Sequence, residues 1–181
     1  IKRLFWYSAG MEIRTPKKEE YEKIVVVINS EKEIWQQVFS DEELAKLGIG
    51  DEKIEDLIRG EKDRDYIIAV EGTEIIGFVS WYVKTPTSAW VSMLQVVPEM
   101  RSKGIGTKLI AVVERKAGEN GCKAVALETQ KRAEWAVKFY LTNGYHKLNN
   151  EEANRQPFTG ILSRPIEDRQ QYCILGKELN T

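Results

Sequence analysis

From residue 65 onward the chain alternates between two kinds of apolar pattern. "DYIIAV" (65–70), "EIIGFVSWYV" (74–83) and "WVSMLQVV" (90–97) are nearly unbroken apolar runs, rich in branched and aromatic side chains, and predict strands. "EGT" between the first two is a hairpin signal, and Pro98 stops the third. Helical spacing follows, with Leu109, Val112, Val113 and Ala117 on one face and a stop near Gly118 to Gly121. "KAVALET" (123–129) returns to strand. A helix from about Arg132 then carries Ala133, Ala136, Val137, Tyr140 and Leu141 on one face, capped by Asn143-Gly144. "YHKL" (145–148) predicts a strand, Asn149 to Gln171 a polar connection, and "YCILGKEL" (172–179) a last strand.

The first third of the chain reads mostly as helix. Met11–Thr15 predicts a short strand, and Thr15-Pro16 a helix start with proline at the first helical position. Tyr21, Ile24, Val25 and Ile28 line one side of that helix. Ser40 with Glu43 forms a capping box for "DEELAKLG", closed by Gly48. Asp51 opens a third helix with Ile54, Leu57 and Ile58 inward, ending at Gly60. Strands and helices are therefore interleaved in one α/β domain with a mixed, partly antiparallel sheet.

Composition narrows the field. The chain has 181 residues, enough for a sizeable core, and 27 basic against 28 acidic residues leave no field for nucleic acid. No apolar run approaches the ~18 residues of a membrane span. Cys122 and Cys173 make neither a CxxC pair nor a disulfide framework, so a reducing compartment, the cytoplasm, is expected. A single histidine, His146, argues against histidine-based metal sites or triads, and no metal is expected. Residues 1–10, "IKRLFWYSAG", read as an extension upstream of a natural start at Met11, leaving 11–181 as the domain.

The chemistry begins at "VVPEMRSKGIGTKLI" (96–110), a turn between a strand and a helix. Gly104 and Gly106 permit positive φ and let a ligand touch backbone. Unpaired amides at the start of the following helix, its dipole, and the charges of Arg101 and Lys103 make an anion site suited to a diphosphate. A dinucleotide fingerprint would need a third glycine where Leu109 stands, and a Walker A loop would need glycine directly before Lys-Ser/Thr. The pattern R-x-x-G-x-G after a strand ending V-x-P matches throughout. A plain β–α turn, with glycines for geometry, remains the structural alternative.

With that turn, the chain resembles the GCN5-related N-acetyltransferase (GNAT) family. "ALETQKRAEWAVKFYLTNGY" (126–145) extends the resemblance, with Leu127-Glu128 ending a strand, Ala136 to Tyr140 on a helix, and Gly144-Tyr145 after it. The likeness spans about residues 75–148 and is nearest in motif to members that acetylate ribosomal-protein alanine. It implies a mixed, mostly antiparallel sheet of about seven strands flanked by helices. It also implies acetyl-coenzyme A as co-substrate, its diphosphate on Arg101, Ser102, Lys103, Gly104, Ile105, Gly106 and Thr107. Leu94, Gln95, Val96 and Val97 would lie along the pantetheine arm, with a bulge at Gln95 to Val97 and a strand splayed from "KAVALET". Ala133 replaces an asparagine that contacts this arm in many relatives.

The implied reaction is direct attack of a primary amine on the thioester, through a tetrahedral intermediate. A lysine-like amine costs roughly 4.6 kcal/mol to deprotonate at pH 7, and an α-amine about 1. Glu128 holds the position of the base, acting directly or through a water; a strand-end glutamate also suits a surface salt bridge. Tyr140 matches the general acid for the departing thiolate, although its place on the apolar stripe also suits packing. His146 reads as structural, and both cysteines as core. Trp81, Tyr82 and Trp90 are candidates for the acceptor side. The acceptor is a protein N-terminus, a polyamine or another small amine, and a homodimer is left open. A non-catalytic acyl-coenzyme A module on the same fold is the rival reading, and a nucleotide-binding protein a lesser one.

Overall fold

The structure, a computed structural model, describes residues 10–162 and 166–179. Nine of the ten residues read as an upstream extension lie outside the described residues. Seven strands form one sheet in the order β1-β2-β3-β4-β5-β7-β6. They are β1 (Met11–Arg14), β2 (Asp65–Glu71), β3 (Glu74–Thr85), β4 (Ser88–Val96), β5 (Ala124–Gln130), β6 (His146–Lys147) and β7 (Tyr172–Glu178). The helices are α1 (Tyr21–Asn29), α2 (Lys32–Trp35), α3 (Asp41–Leu47), α4 (Ile54–Gly60), α5 (Ile105–Glu119), α6 (Glu134–Thr142) and α7 (Asn150–Ala153). The chain divides into two compact units. One holds residues up to Ser80 with Met93–Ile110, and the other Trp81–Ser92 with Ala111 onward.

In the first unit β1 runs antiparallel to β2, from Met11↔Glu71 to Arg14↔Ile68. The apolar runs of β2 and β3 are buried from Tyr66 to Val70 and, within this unit, from Ile75 to Ser80. They form a core with Tyr21, Ile24, Val27 and Ile28 of α1 and Leu57 of α4. Each such side chain contributes roughly 1.5–3 kcal/mol when fully buried. Tyr66 ties α4 to β2 by donating its hydroxyl to the Leu57 carbonyl at 2.9 Å.

Helix starts are where local expectation and structure differ. The first helix does not begin at Pro16. Glu20 turns back to accept from the Lys17 amide at 2.7 Å and from Arg14 at 2.8 and 2.6 Å, so a 3₁₀ turn, Lys18–Glu20, precedes α1. The Arg14 bond, opposed by burial, holds the Glu20 carboxyl down to about 2. The capping box of α3 is as expected, with Ser40 accepting from the Glu43 amide and Gly48 in the left-handed region. Helix α4 begins at Ile54 rather than Asp51, because Asp56 accepts from the Lys53 amide at 3.1 Å. Its inward face centres on Leu57, so Ile58, about 100° further round, is 48% exposed. Leu141 likewise turns out of the stripe of α6, at 43% exposed.

In the second unit β4 runs parallel to β5 from Ser88↔Ala124 to Val91↔Leu127. β5 continues to Gln130, antiparallel to β7 from Ala124↔Glu178 to Gln130↔Tyr172. The stretch after Leu148 is not simply a polar connection. Asn149 and Glu152 form a capping box for α7, and Phe158 and Ile161 are buried with Ala124, Ala126 and Ile174. Ser88 and Thr87 pin this segment, donating to the Pro157 carbonyl at 2.6 and 2.8 Å. Two apolar residues among polar ones carry no periodicity, so nothing local announced them.

Gly77 allows a close approach. A Cβ there would stand 2.9 Å from Leu109 Cδ1, 3.1 Å from Ile105 Cγ2 and 3.3 Å from the Gln95 carbonyl oxygen. The first turns of α5 therefore seat on bare backbone of β3. Gly77→Ala is expected to overpack this contact and cost about 1–3 kcal/mol, read as a lowered denaturation midpoint. An unchanged midpoint would mean that α5 is not pressed onto β3.

Candidate active site

The glycine turn lies within the first unit. The Val97 amide donates to the Ile76 carbonyl at 3.1 Å, holding the end of β4 beside β3. Proline removes the next donor, and a single turn, Pro98–Met100, leads into the reversal. Positive φ falls on Ser102 (61°) and Gly104 (77°). The expectation had placed it at Gly104 and Gly106; Gly106 instead lies in the first turn of α5. A non-glycine residue in the left-handed region costs roughly 1–2 kcal/mol, so Ser102 carries strain that the glycine spacing did not indicate.

The reversal aims a helix start outward. α5 begins at Ile105, and its first bond of helical spacing joins the Lys108 amide to the Gly104 carbonyl at 3.1 Å. The amides of Ile105, Gly106 and Thr107 precede that bond and suit an anion. No atom lies within 4 Å of where a Gly104 Cβ would stand, so the space above the turn is clear. Arg101 donates from Nε to the Val96 carbonyl at 3.1 Å. Its Nη2 is buried and lacks a hydrogen-bond partner among the described residues. A buried guanidinium nitrogen without an acceptor is a standing cost that an anionic ligand would remove.

Sequence reasoning missed Glu31. It follows α1 in the charged run "SEKE", yet its side chain is only 14% exposed. Trp35 Nε1 donates to Glu31 Oε2 at 3.1 Å. The Gln95 amide nitrogen, in the orientation that satisfies its hydrogen bonds, donates to both carboxyl oxygens at 2.9 and 2.7 Å. Arg101 Nη2 lies 3.7 Å from Oε1. Burial pushes the Glu31 carboxyl up to about 7, against the opposing pull of Trp35 and Arg101. Its partners are remote in sequence, and no local signal marked it.

In the second unit Glu128 lies near the end of β5 and is partly exposed, paired with Ile174 across the ladder. Arg169 Nη1 donates to Glu128 Oε2, making an ion pair from the short turn Ile166–Arg169 before β7. Tyr140 is buried on α6, its ring 5.0 Å from Phe139 and 5.5 Å from Tyr145, both edge-on. Beneath it, Lys177 donates to Glu114 Oε2 at 2.8 Å and lies 5.6 Å over the Tyr145 ring. Burial first, then Glu114, raises the Tyr145 phenol well above its ordinary range. The ring of Tyr140 is thus positioned by a packed cluster.

Other candidates fall into place. Ala133 is buried, and its carbonyl accepts from the Val137 amide at 3.1 Å. Trp81 is 1% exposed and packs in the core, and Trp90 packs against the cluster around Phe158. His146 is half exposed at a strand edge, 3.7 Å from Glu152. Cys122 and Cys173 are buried free thiols, both pushed up by desolvation. Among the described residues no helix is long and apolar enough to cross a membrane, and no cluster of three or more His, Cys, Asp or Glu is disposed to hold a metal.

Residues 25–145 match the acetyltransferase (GNAT) family. The uncharacterised N-acetyltransferase YhfO of Bacillus subtilis is 38% identical over 89 residues, 45% of this chain and 58% of that protein. An aminoalkylphosphonate N-acetyltransferase of Salmonella typhimurium is 31% identical over 85 residues, 44% and 55% of the two chains. The chain thus spans a little over half the length of these curated relatives. The crystal structure of PaiA N-acetyltransferase from Thermoplasma acidophilum in complex with coenzyme A superposes with a TM-score of 0.73 at 20% identity. That superposition covers 93% of this chain and 98% of the other. The family match spans more than half of the chain: the protein is a member of the GNAT acetyltransferase family.

Proposed function

We propose that the protein is an acetyl-coenzyme A-dependent N-acetyltransferase that acylates a primary amine by direct attack. The observation that carries this is the reversal at Ser102 and Gly104, which leaves the first amides of α5 ahead of its first helical hydrogen bond. Arg101, Ser102, Lys103, Gly104, Ile105, Gly106 and Thr107 hold the diphosphate through these amides and charges. Leu94, Gln95, Val96 and Val97 align the pantetheine arm. The bound co-substrate supplies an acetyl group already activated as a thioester. Tyr140 gives its proton, or a hydrogen bond, to the departing sulfur. Glu128 is the carboxylate for the acceptor amine, and Arg169 orients it. A primary ammonium is attracted to that carboxylate, and an acidic group on the acceptor would meet the guanidinium.

Calorimetry on the purified chain tests the first half: acetyl-coenzyme A is expected to bind, and ATP and NAD to give no comparable heat. A panel of peptide N-termini, polyamines and aminoalkylphosphonates, scored by release of free thiol, tests the second. No heat from acetyl-coenzyme A while another nucleotide binds would overturn the reading.

A further inference from the structure

Acetyl transfer to an ammonium needs a proton taken away before any bond forms, and Glu128 already accepts from Arg169. Glu31 is held differently. Resting on the acetyltransferase reading above, we infer that Glu31 is the group that takes the first proton from the acceptor ammonium.

Place argues for it. Glu31 touches Gln95, in the strand end that the reading assigns to the pantetheine arm, and both belong to the same compact unit. So does Arg101, the first residue of the turn. The holding groups argue for it too. Trp35 and Gln95 are neutral, and Arg101, the charged group that faces the carboxyl, stands at 3.7 Å, beyond hydrogen-bond distance. A carboxamide presents N–H to a carboxylate and, rotated by half a turn, C=O to a carboxylic acid. The Gln95 side chain can therefore satisfy Glu31 in both protonation states. Desolvation supplies the basicity: burial raises the carboxyl above its ordinary range, toward neutral pH, where a general base is most effective.

The proton balance closes. The ammonium gives one proton to Glu31, leaving a neutral amine and a neutral carboxylic acid. Nitrogen then bonds to the acetyl carbon, and the carbon–sulfur bond breaks. Tyr140 gives its proton to the departing thiolate, and the second proton on nitrogen, lost as the amide forms, replaces it through solvent. Glu31 returns its proton to water. The net change is one amide, one free thiol and one proton released.

The test is the pH dependence of kcat/KM for wild type, Glu31→Gln, Glu128→Gln and Trp35→Phe, with whichever amine the panel identifies. A base must be unprotonated to work, so wild-type kcat/KM is low in acid and rises through about pH 7. Glu31→Gln is expected to abolish that limb and to leave a rise that follows the amine's own ionisation. At pH 7 the loss is on the order of a hundredfold. Trp35→Phe removes a hydrogen bond that favours the charged form, so the limb should move to higher pH. A carboxyl-carbon NMR titration of the full chain without co-substrate supplies an independent readout, expected near 7 at Glu31. The idea is overturned if Glu31 titrates near an ordinary 4.5, if Glu31→Gln keeps both limb and rate, or if Glu128→Gln is the variant that erases the limb. A wild-type chain that neither binds acetyl-coenzyme A nor releases thiol would instead sink the acetyltransferase reading. Should Glu31→Gln fail to fold, by circular dichroism, Trp35→Phe and the NMR titration decide the matter.

Discussion

Tyr140→Phe is expected to leave acetyl-coenzyme A bound with near wild-type affinity while kcat falls by about 10²- to 10⁴-fold. Phenylalanine keeps the ring that stacks edge-on between Phe139 and Tyr145, so the packing of α6 survives. Only the hydroxyl is lost. Tyrosine's reference pKa of about 10 exceeds a thiol's by about 1.5, so complete transfer is uphill by roughly 2 kcal/mol. A hydrogen bond that strengthens as charge builds on sulfur needs no complete transfer, and it acts on the transition state more than on the bound ground state. The effect must therefore appear in kcat. Calorimetry for affinity and thiol release for turnover, on one preparation, separate the two. Unchanged turnover would make Tyr140 a packing residue with no part in protonating the departing thiolate.

Gly104→Val is expected to lower affinity for acetyl-coenzyme A by at least a hundredfold, with a smaller loss of stability. Gly104 sits at φ 77°, where a branched side chain is strained by roughly 1–2 kcal/mol. For a chain of this size that is a fall of roughly 2–8 °C in the melting midpoint. Binding suffers more for a second reason. The Cβ would enter space with no protein atom within 4 Å, the space assigned to the diphosphate. A side chain there blocks the ligand, and any relaxation of the turn re-aims the amides of Ile105 to Thr107. Ser102→Gly is the control: it relieves strain at φ 61° without filling the site, so it should raise the midpoint and spare binding. Tight binding by Gly104→Val would move the diphosphate away from this turn.

Much of this was legible along the chain. The apolar runs of β2, β3 and β5 are strands because a buried strand has no polar face to show, and their boundaries were close to those observed. The α3 cap, and the turn between β4 and α5, are written in residues a few positions apart. What went astray was local chemistry overridden by a neighbour. Pro16 would open a helix, but Arg14 drew Glu20 back across the chain and delayed it. Ile58 and Leu141 fit helical stripes, yet the faces against which those helices pack are narrower than the stripes.

The sequence by itself determined the mixed sheet, the family and the turn between β4 and α5, because hydrophobic period, glycine freedom and helix caps are properties of contiguous residues. Only the tertiary structure decided what each candidate carboxylate faces. Arg169 reaches Glu128 across 41 positions, and Glu31 meets Gln95 and Arg101 from a distant segment. Whether a carboxyl is a tethered anion or a base poised near neutrality depends on the water it has lost and the donors it faces, and both are set by folding.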